Sequence, residues 1–346
     1  MRAVFAALLL AACDGGMSSD GGMSSDGGSS GADEPASSLA LSGQVVFLEE
    51  HGPPDFRVAT LDLETQAVET IFTIPSGAFA YDVAVHPESG EVLMAYTAPA
   101  QEGEAGFDRS TLVELSAEGP VTVLGEQGPG EWSLYPTWSA DGESVWYVAQ
   151  HPASDEAEAS FAVVRARRDT GEVQVEVPWA TEPAVSPDGQ YVAWVAIDPQ
   201  TLSRSVVLAD SEGEPIRTMV RADDVYDLGL PTFSSDGRGV LVSILENPLL
   251  MRSASLQAPS RAVRHGVHLL PADWWAIAID STDLDRVSAL STVMHDATVS
   301  SDEWVLAAAT REGIDVIDLA EGVSERLLSN RAIRAVAWRP SPRVGG

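Results

Sequence analysis

The feature that most constrains this chain is a turn that keeps returning. The clearest copies are Val185-Ser-Pro-Asp-Gly-Gln-Tyr-Val-Ala-Trp194, Trp138-Ser-Ala-Asp-Gly-Glu-Ser-Val-Trp146 and Phe233-Ser-Ser-Asp-Gly-Arg-Gly-Val-Leu241. Weaker copies start at Val85 and Val299, and a truncated one, Trp338-Arg339-Pro340-Ser341, lies near the end. Asp-Gly between alternating apolar runs is a hairpin signal, because Gly supplies positive φ and Asp or Ser bonds back to the backbone. Each copy therefore reads as strand, tight turn, strand.

The anchor positions are His86, Ser139, Ser186, Ser234, Ser300 and Arg339, separated by 53, 47, 48, 66 and 39 residues. A period near 40–50 residues with about four short strands marks a β-propeller blade. The motif resembles the S-P-D-G repeat of TolB-like, WD40-like bacterial propellers. Ser42–Leu48 looks like the second half of a copy, and Ile333–Trp338 like an inner strand. Joined, they make one blade from both chain ends. The expected fold is all-β, a six-bladed β-propeller with a seven-bladed ring as the alternative. The 66-residue step falls short of two 47-residue steps, so it reads as one blade with an insertion between Glu246 and Asp296. That span takes in the pair Trp274-Trp275.

Upstream, Met1-Arg2, an apolar run from Ala3 to Ala12, and then Cys13 form a secretory signal pattern. Ten apolar residues are too few to span a bilayer, which needs about 20. Leu10-Ala11-Ala12-Cys13 resembles the lipobox of bacterial lipoproteins, which implies acylation of Cys13, the only cysteine. Residues 1–12 are then a signal peptide and residues 13–41 a tether. The propeller spans residues 42–341. The tether repeats Asp-Gly-Gly-Met-Ser-Ser, a composition too polar to offset ordering entropy. Gly27 to Gly31 formally matches a serine-hydrolase elbow, but it lacks the strand that such a turn requires.

The formal net charge is −32, and every basic residue is arginine. Such a field repels nucleic acid, and it excludes a basic patch as the membrane contact. The expected partners are the membrane through Cys13 and a protein or envelope component, with the chain as a monomer facing the periplasm or cell exterior. No cofactor is implied.

Propellers bind at the mouth of their channel. Counting back four residues from the anchors gives Asp82, Tyr135, Glu182, Leu230, Asp296 and Ala335. Counting back five gives Tyr81, His295 and Arg334 among others. Sixfold geometry would gather them, and the three carboxylates would hold a cation or a basic group of a partner. The plainer reading is that they satisfy turn backbone or are solvated. Two functions follow. One is a non-enzymatic binding module, as the resemblance implies. The other is a metal-dependent hydrolase or lyase using Asp82, Glu182, Asp296 and His295. The chain shows no catalytic constellation that decides for an enzyme.

Overall fold

The computed structural model describes residue 39 and residues 41–339, apart from 51–55, 101–108, 117, 125–129, 153–159, 223–224, 226, 246–271, 289, 291 and 301–303. The signal segment, Cys13 and the repetitive tether lie outside the described residues, as does most of the expected insertion.

All regular structure among the described residues is β. The strands in chain order are β1 (Gln44–Glu50), β2 (Phe56–Asp62), β3 (Val68–Thr73), β4 (Phe79–Val85), β5 (Val92–Thr97), β6 (Thr111–Ser116), β7 (Gly119–Thr122) and β8 (Trp132–Trp138). They continue as β9 (Ser144–His151), β10 (Ser160–Arg167), β11 (Val173–Pro178), β12 (Ala180–Val185), β13 (Tyr191–Ile197), β14 (Arg204–Asp210), β15 (Pro215–Arg221) and β16 (Asp227–Phe233). The last are β17 (Gly239–Leu245), β18 (Asp273–Ala278), β19 (Asp285–Arg286), β20 (Met294–Val299), β21 (Val305–Thr310), β22 (Gly313–Asp318), β23 (Val323–Ser329) and β24 (Ala332–Arg339).

These form six antiparallel four-stranded sheets, a six-bladed propeller. Five blades are sequential. The sixth runs β24-β1-β2-β3, so the last strand pairs with the first, with Phe47 opposite Val336. The shared blade expected from the sequence is present, and the seven-bladed alternative is not.

Strand periodicity explains how the blades stack. In β1, Val45 and Phe47 pack toward the β20–β23 blade, while Val46 and Leu48 pack toward the β4–β7 blade. Likewise Trp146 faces the β12–β15 blade and Tyr147 the β4–β7 blade. Successive side chains point to opposite faces, so each middle strand feeds two interfaces and is buried throughout. β5 and β21 show this over their whole lengths. Outer strands such as β3 and β11 are largely exposed.

The Asp-Gly turns do more than reverse the chain. Ser186 Oγ donates to Asp188 Oδ1 (2.7 Å) and accepts from the Tyr191 N–H (2.9 Å), which locks the hairpin. The glycine that follows carries positive φ and touches the preceding blade. A Cβ on Gly142 would lie 2.1 Å from His86 Nε2. A Cβ on Gly237 would meet the Asp188 carboxylate at 3.7 Å. The turns thus pack blade against blade around one end of the channel.

The expected insertion needs one correction. Trp274 and Trp275 lie in β18, inside the blade, and Trp274 is fully buried between blades. The sequence gives no mark of where the extra residues end, so the pair was counted with them.

Candidate functional site

The inner strands all break their ladders at one height. In β4, β20 and β24 a single residue is skipped in the pairing: Tyr81, His295 and Arg334. In β8, β12 and β16 two residues are skipped: Tyr135-Pro136, Glu182-Pro183 and Leu230-Pro231. Tyr135, Glu182 and Leu230 carry φ values of 50°, 54° and 52°, a left-handed backbone that non-glycine residues rarely adopt. Such conformations cost about 1–3 kcal/mol each and persist only where surrounding contacts hold them.

The breaks and prolines deal with the amides of the next residue, three before each anchor. Pro136, Pro183 and Pro231 have no N–H. The Val83 N–H donates to Asp82 Oδ1 (2.7 Å), and the Val336 N–H donates to Asp296 Oδ2 (2.9 Å). The Ala297 N–H also bonds to the Asp296 carboxylate. At this position of each inner strand the backbone donor is absent or engaged.

A cavity of about 570 Å³ occupies the axis, lined by the inner strand of every blade. Asp82, Tyr135, Glu182, Leu230 and Asp296 line it together. These are five of the six positions four before an anchor. Ala335 packs into the interface with the β4–β7 blade instead, and β24 meets the cavity from Val336 onward.

The three carboxylates are not equivalent. Glu182 is buried and fully engaged. Its Oε1 accepts from Arg204 Nη2 (2.6 Å) and its Oε2 from the Leu230 N–H (2.6 Å). Arg204 also reaches Asp227 across to β16 (3.3 Å). Gly229 makes room for this cluster, since a Cβ there would lie 2.7 Å from Glu182 Oε2. Burial and then the Asp296 charge hold the Asp82 carboxyl well above the usual carboxylate range. Burial raises Asp296 to about 7, against the lowering effect of its two backbone hydrogen bonds. The pair therefore retains a proton near neutral pH. Tyr135 is held above its ordinary value by burial, then by Glu182, Asp82 and Asp296. Among the described residues, no three His, Cys, Asp or Glu side chains group as metal ligands.

The other three sequence candidates leave the channel. Tyr81 stacks edge-on against Trp132 (5.6 Å) and contacts Phe79 (4.7 Å), in the packing between two blades. Arg334 Nε donates to Glu50 Oε2 (2.6 Å) on β1. Burial, then the Arg334 and Arg311 charges, push His295 down to about 4, so it is neutral near pH 7. None of the three lines the cavity. Tyr81 and His295 each stand directly before a cavity-lining aspartate, and neighbouring side chains of a strand point to opposite faces.

Sequence reasoning missed Arg204, which sits on a third strand with no periodic mark. It also missed the prolines. Pro136, Pro183 and Pro231 stand at one constant distance before Ser139, Ser186 and Ser234, a signal available from the repeat itself.

No family model and no curated protein sequence matches the chain. Solved structures do. A protein assigned as TolB from Agrobacterium tumefaciens superposes with a TM-score of 0.52 at 12% identity, covering 86% of this chain and 98% of that one. Kuenenia stuttgartiensis hydrazine synthase gives 0.50 at 14% identity, covering 76% and 70%. TolB from Acinetobacter baumannii gives 0.46 at 15% identity, covering 86% and 82%. At these identities the likeness is one of fold. The chain thus carries a six-bladed β-propeller similar to that of TolB proteins.

Proposed function

We propose that this chain is a membrane-tethered envelope lipoprotein, acylated at Cys13, whose propeller is a non-enzymatic binding module that grips its partner in the axial channel. One observation carries the site. Three adjacent inner strands hold Tyr135, Glu182 and Leu230 in strained backbone on the cavity wall, beside Asp82 and Asp296. Strain of this kind gathers at binding sites. A concave pocket with a few placed polar groups is where such a fold takes its ligand. The signal pattern and lipobox support the tether and the envelope location.

The test is a photo-crosslinker, benzoylphenylalanine, in place of Tyr135 in living cells. A discrete adduct is expected there and not from the same probe at exposed Val173 on the rim. Equal labelling at both positions, or none at 135, would sink the channel as the contact site.

A hydrolase or lyase reading has one observation in its favour. Asp296, held near 7, has the poise of a general acid–base group. Its metal-dependent form is tested by metal analysis of the purified chain, and sub-stoichiometric metal would remove it.

A further inference from the structure

We infer that the channel takes a guanidinium or primary ammonium group, seated among Asp82, Asp296 and the Tyr135 hydroxyl. This deepens the channel-binding reading above and rests on it. The first observation is the polarity of the wall. At the level of the carboxylates, three prolines remove backbone donors, and Asp82 and Asp296 occupy the remaining three. An anionic ligand entering there finds acceptors and no free amide. It also meets the field of a chain with formal net charge −32.

The second observation is the Tyr135 hydroxyl. It lines the cavity, is partly buried, and has no hydrogen-bond partner among the described residues. A hydroxyl that is open to the channel and has no partner inside the protein is free to accept a hydrogen bond from a cationic donor.

The charged groups around this point come from every neighbouring inner strand that supplies one. Asp82 stands on β4, Tyr135 on β8, Glu182 on β12 and Asp296 on β20. β16 contributes Leu230 and β24 contributes Val336, both apolar. Arg204 on β14, the cation that acts on Tyr135, is committed to Glu182 and Asp227. Glu182 is thereby paired, and Asp82 with Asp296 is left without a basic partner among the described residues. The pair keeps a proton instead. A guanidinium or ammonium arriving there displaces that proton into solvent and accepts the same two carboxylates as partners.

Isothermal titration of the full chain in detergent, with L-argininamide as the cationic probe and galacturonate as the anionic one, tests this. Argininamide is expected to bind saturably and to release a proton at pH 7, read as a dependence of the heat on buffer ionisation enthalpy. Asp82→Asn should weaken binding about tenfold, a loss of about 1.4 kcal/mol. Tyr135→Phe removes no hydrogen bond within the protein. It should therefore fold normally, with the same unfolding temperature, and still weaken binding several-fold. The inference is overturned if argininamide gives no saturable heat, if galacturonate binds as well, or if both variants bind as the parent does. Argininamide that competes away the Tyr135-site crosslink marks the cation as a side chain of the partner. Binding without competition marks a free small cation. A crosslink at 135 with no argininamide binding overturns the cation and leaves the channel as the contact site. Absence of both overturns both.

Discussion

The Asp296 carboxylate on β20 accepts a hydrogen bond from the backbone N–H of Val336 on β24, 2.9 Å away across the joint between two blades. The same side chain therefore lines the channel and ties the β20 blade to β24, the strand that closes the ring. That double duty links binding chemistry to stability, and it makes this joint between blades sensitive to protonation.

The pH dependence has a definite sign. Asp296 is raised from an unfolded value near 3.8 to about 7, so the folded chain binds more protons than the unfolded one in that interval. Its contribution is fully present below about pH 4 and is lost as pH rises through 7. Asp296→Asn should flatten that part of the stability profile. Urea midpoints between pH 4 and 8 measure it, and an Asn variant with the parent's slope would contradict the assignment.

Arg204→Met should destabilise the propeller by about 3–5 kcal/mol, because it strands a buried Glu182. Adding Glu182→Gln should recover part of the loss. A double-mutant cycle by chemical denaturation reads the coupling, and strictly additive losses would show that the pair is not one unit.

Gly142 and Gly322 make a matched comparison. Both carry positive φ, 71° and 67°. A Cβ on Gly142 would strike His86, whereas nothing lies within 4 Å of one on Gly322. Gly322→Ala should cost only the backbone strain, about 1–2 kcal/mol. Gly142→Ala should cost clearly more, with a lower thermal midpoint. Equal costs would mean that the His86 contact carries no weight.

Trp194→Ala should cost about 3–5 kcal/mol, since the side chain is 1% exposed between two blades. Trp304→Ala, at 48% exposure, should stay within about 0.5 kcal/mol of the parent. Thermal unfolding of both variants checks the pair.

The tether has its own test. Cells fed labelled palmitate should label the parent chain, and Cys13→Ser should lose both the label and the membrane fraction. A Ser variant that still sediments with membranes would point to another anchor.

The ring was legible because its signal is local. Asp188 and Gly189 must sit side by side to make their turn, so each blade writes its position into the sequence. The shared blade was legible for the same reason, as two half-copies at the chain ends. The site was only partly so. Counting back from Ser186 finds Glu182, which follows from strand geometry. Arg204, which fixes that carboxylate, comes from a different strand through tertiary packing. The ladder breaks at Tyr81, His295 and Arg334 depend on how the inner strands pair, and pairing register leaves no mark in a single strand. The prolines at 136, 183 and 231 were plain to see, but their meaning needed the fact that they face a channel.

The seam also decides how the ring bears load. β1 is the first strand among the described residues, yet it sits inside its sheet, zipped to β2 on one side and β24 on the other. A pull on the preceding segment therefore does not peel an outer strand away. It must shear two rows of hydrogen bonds at once, so the ring is held at the point where its leading end enters by β24, the closing strand of the propeller.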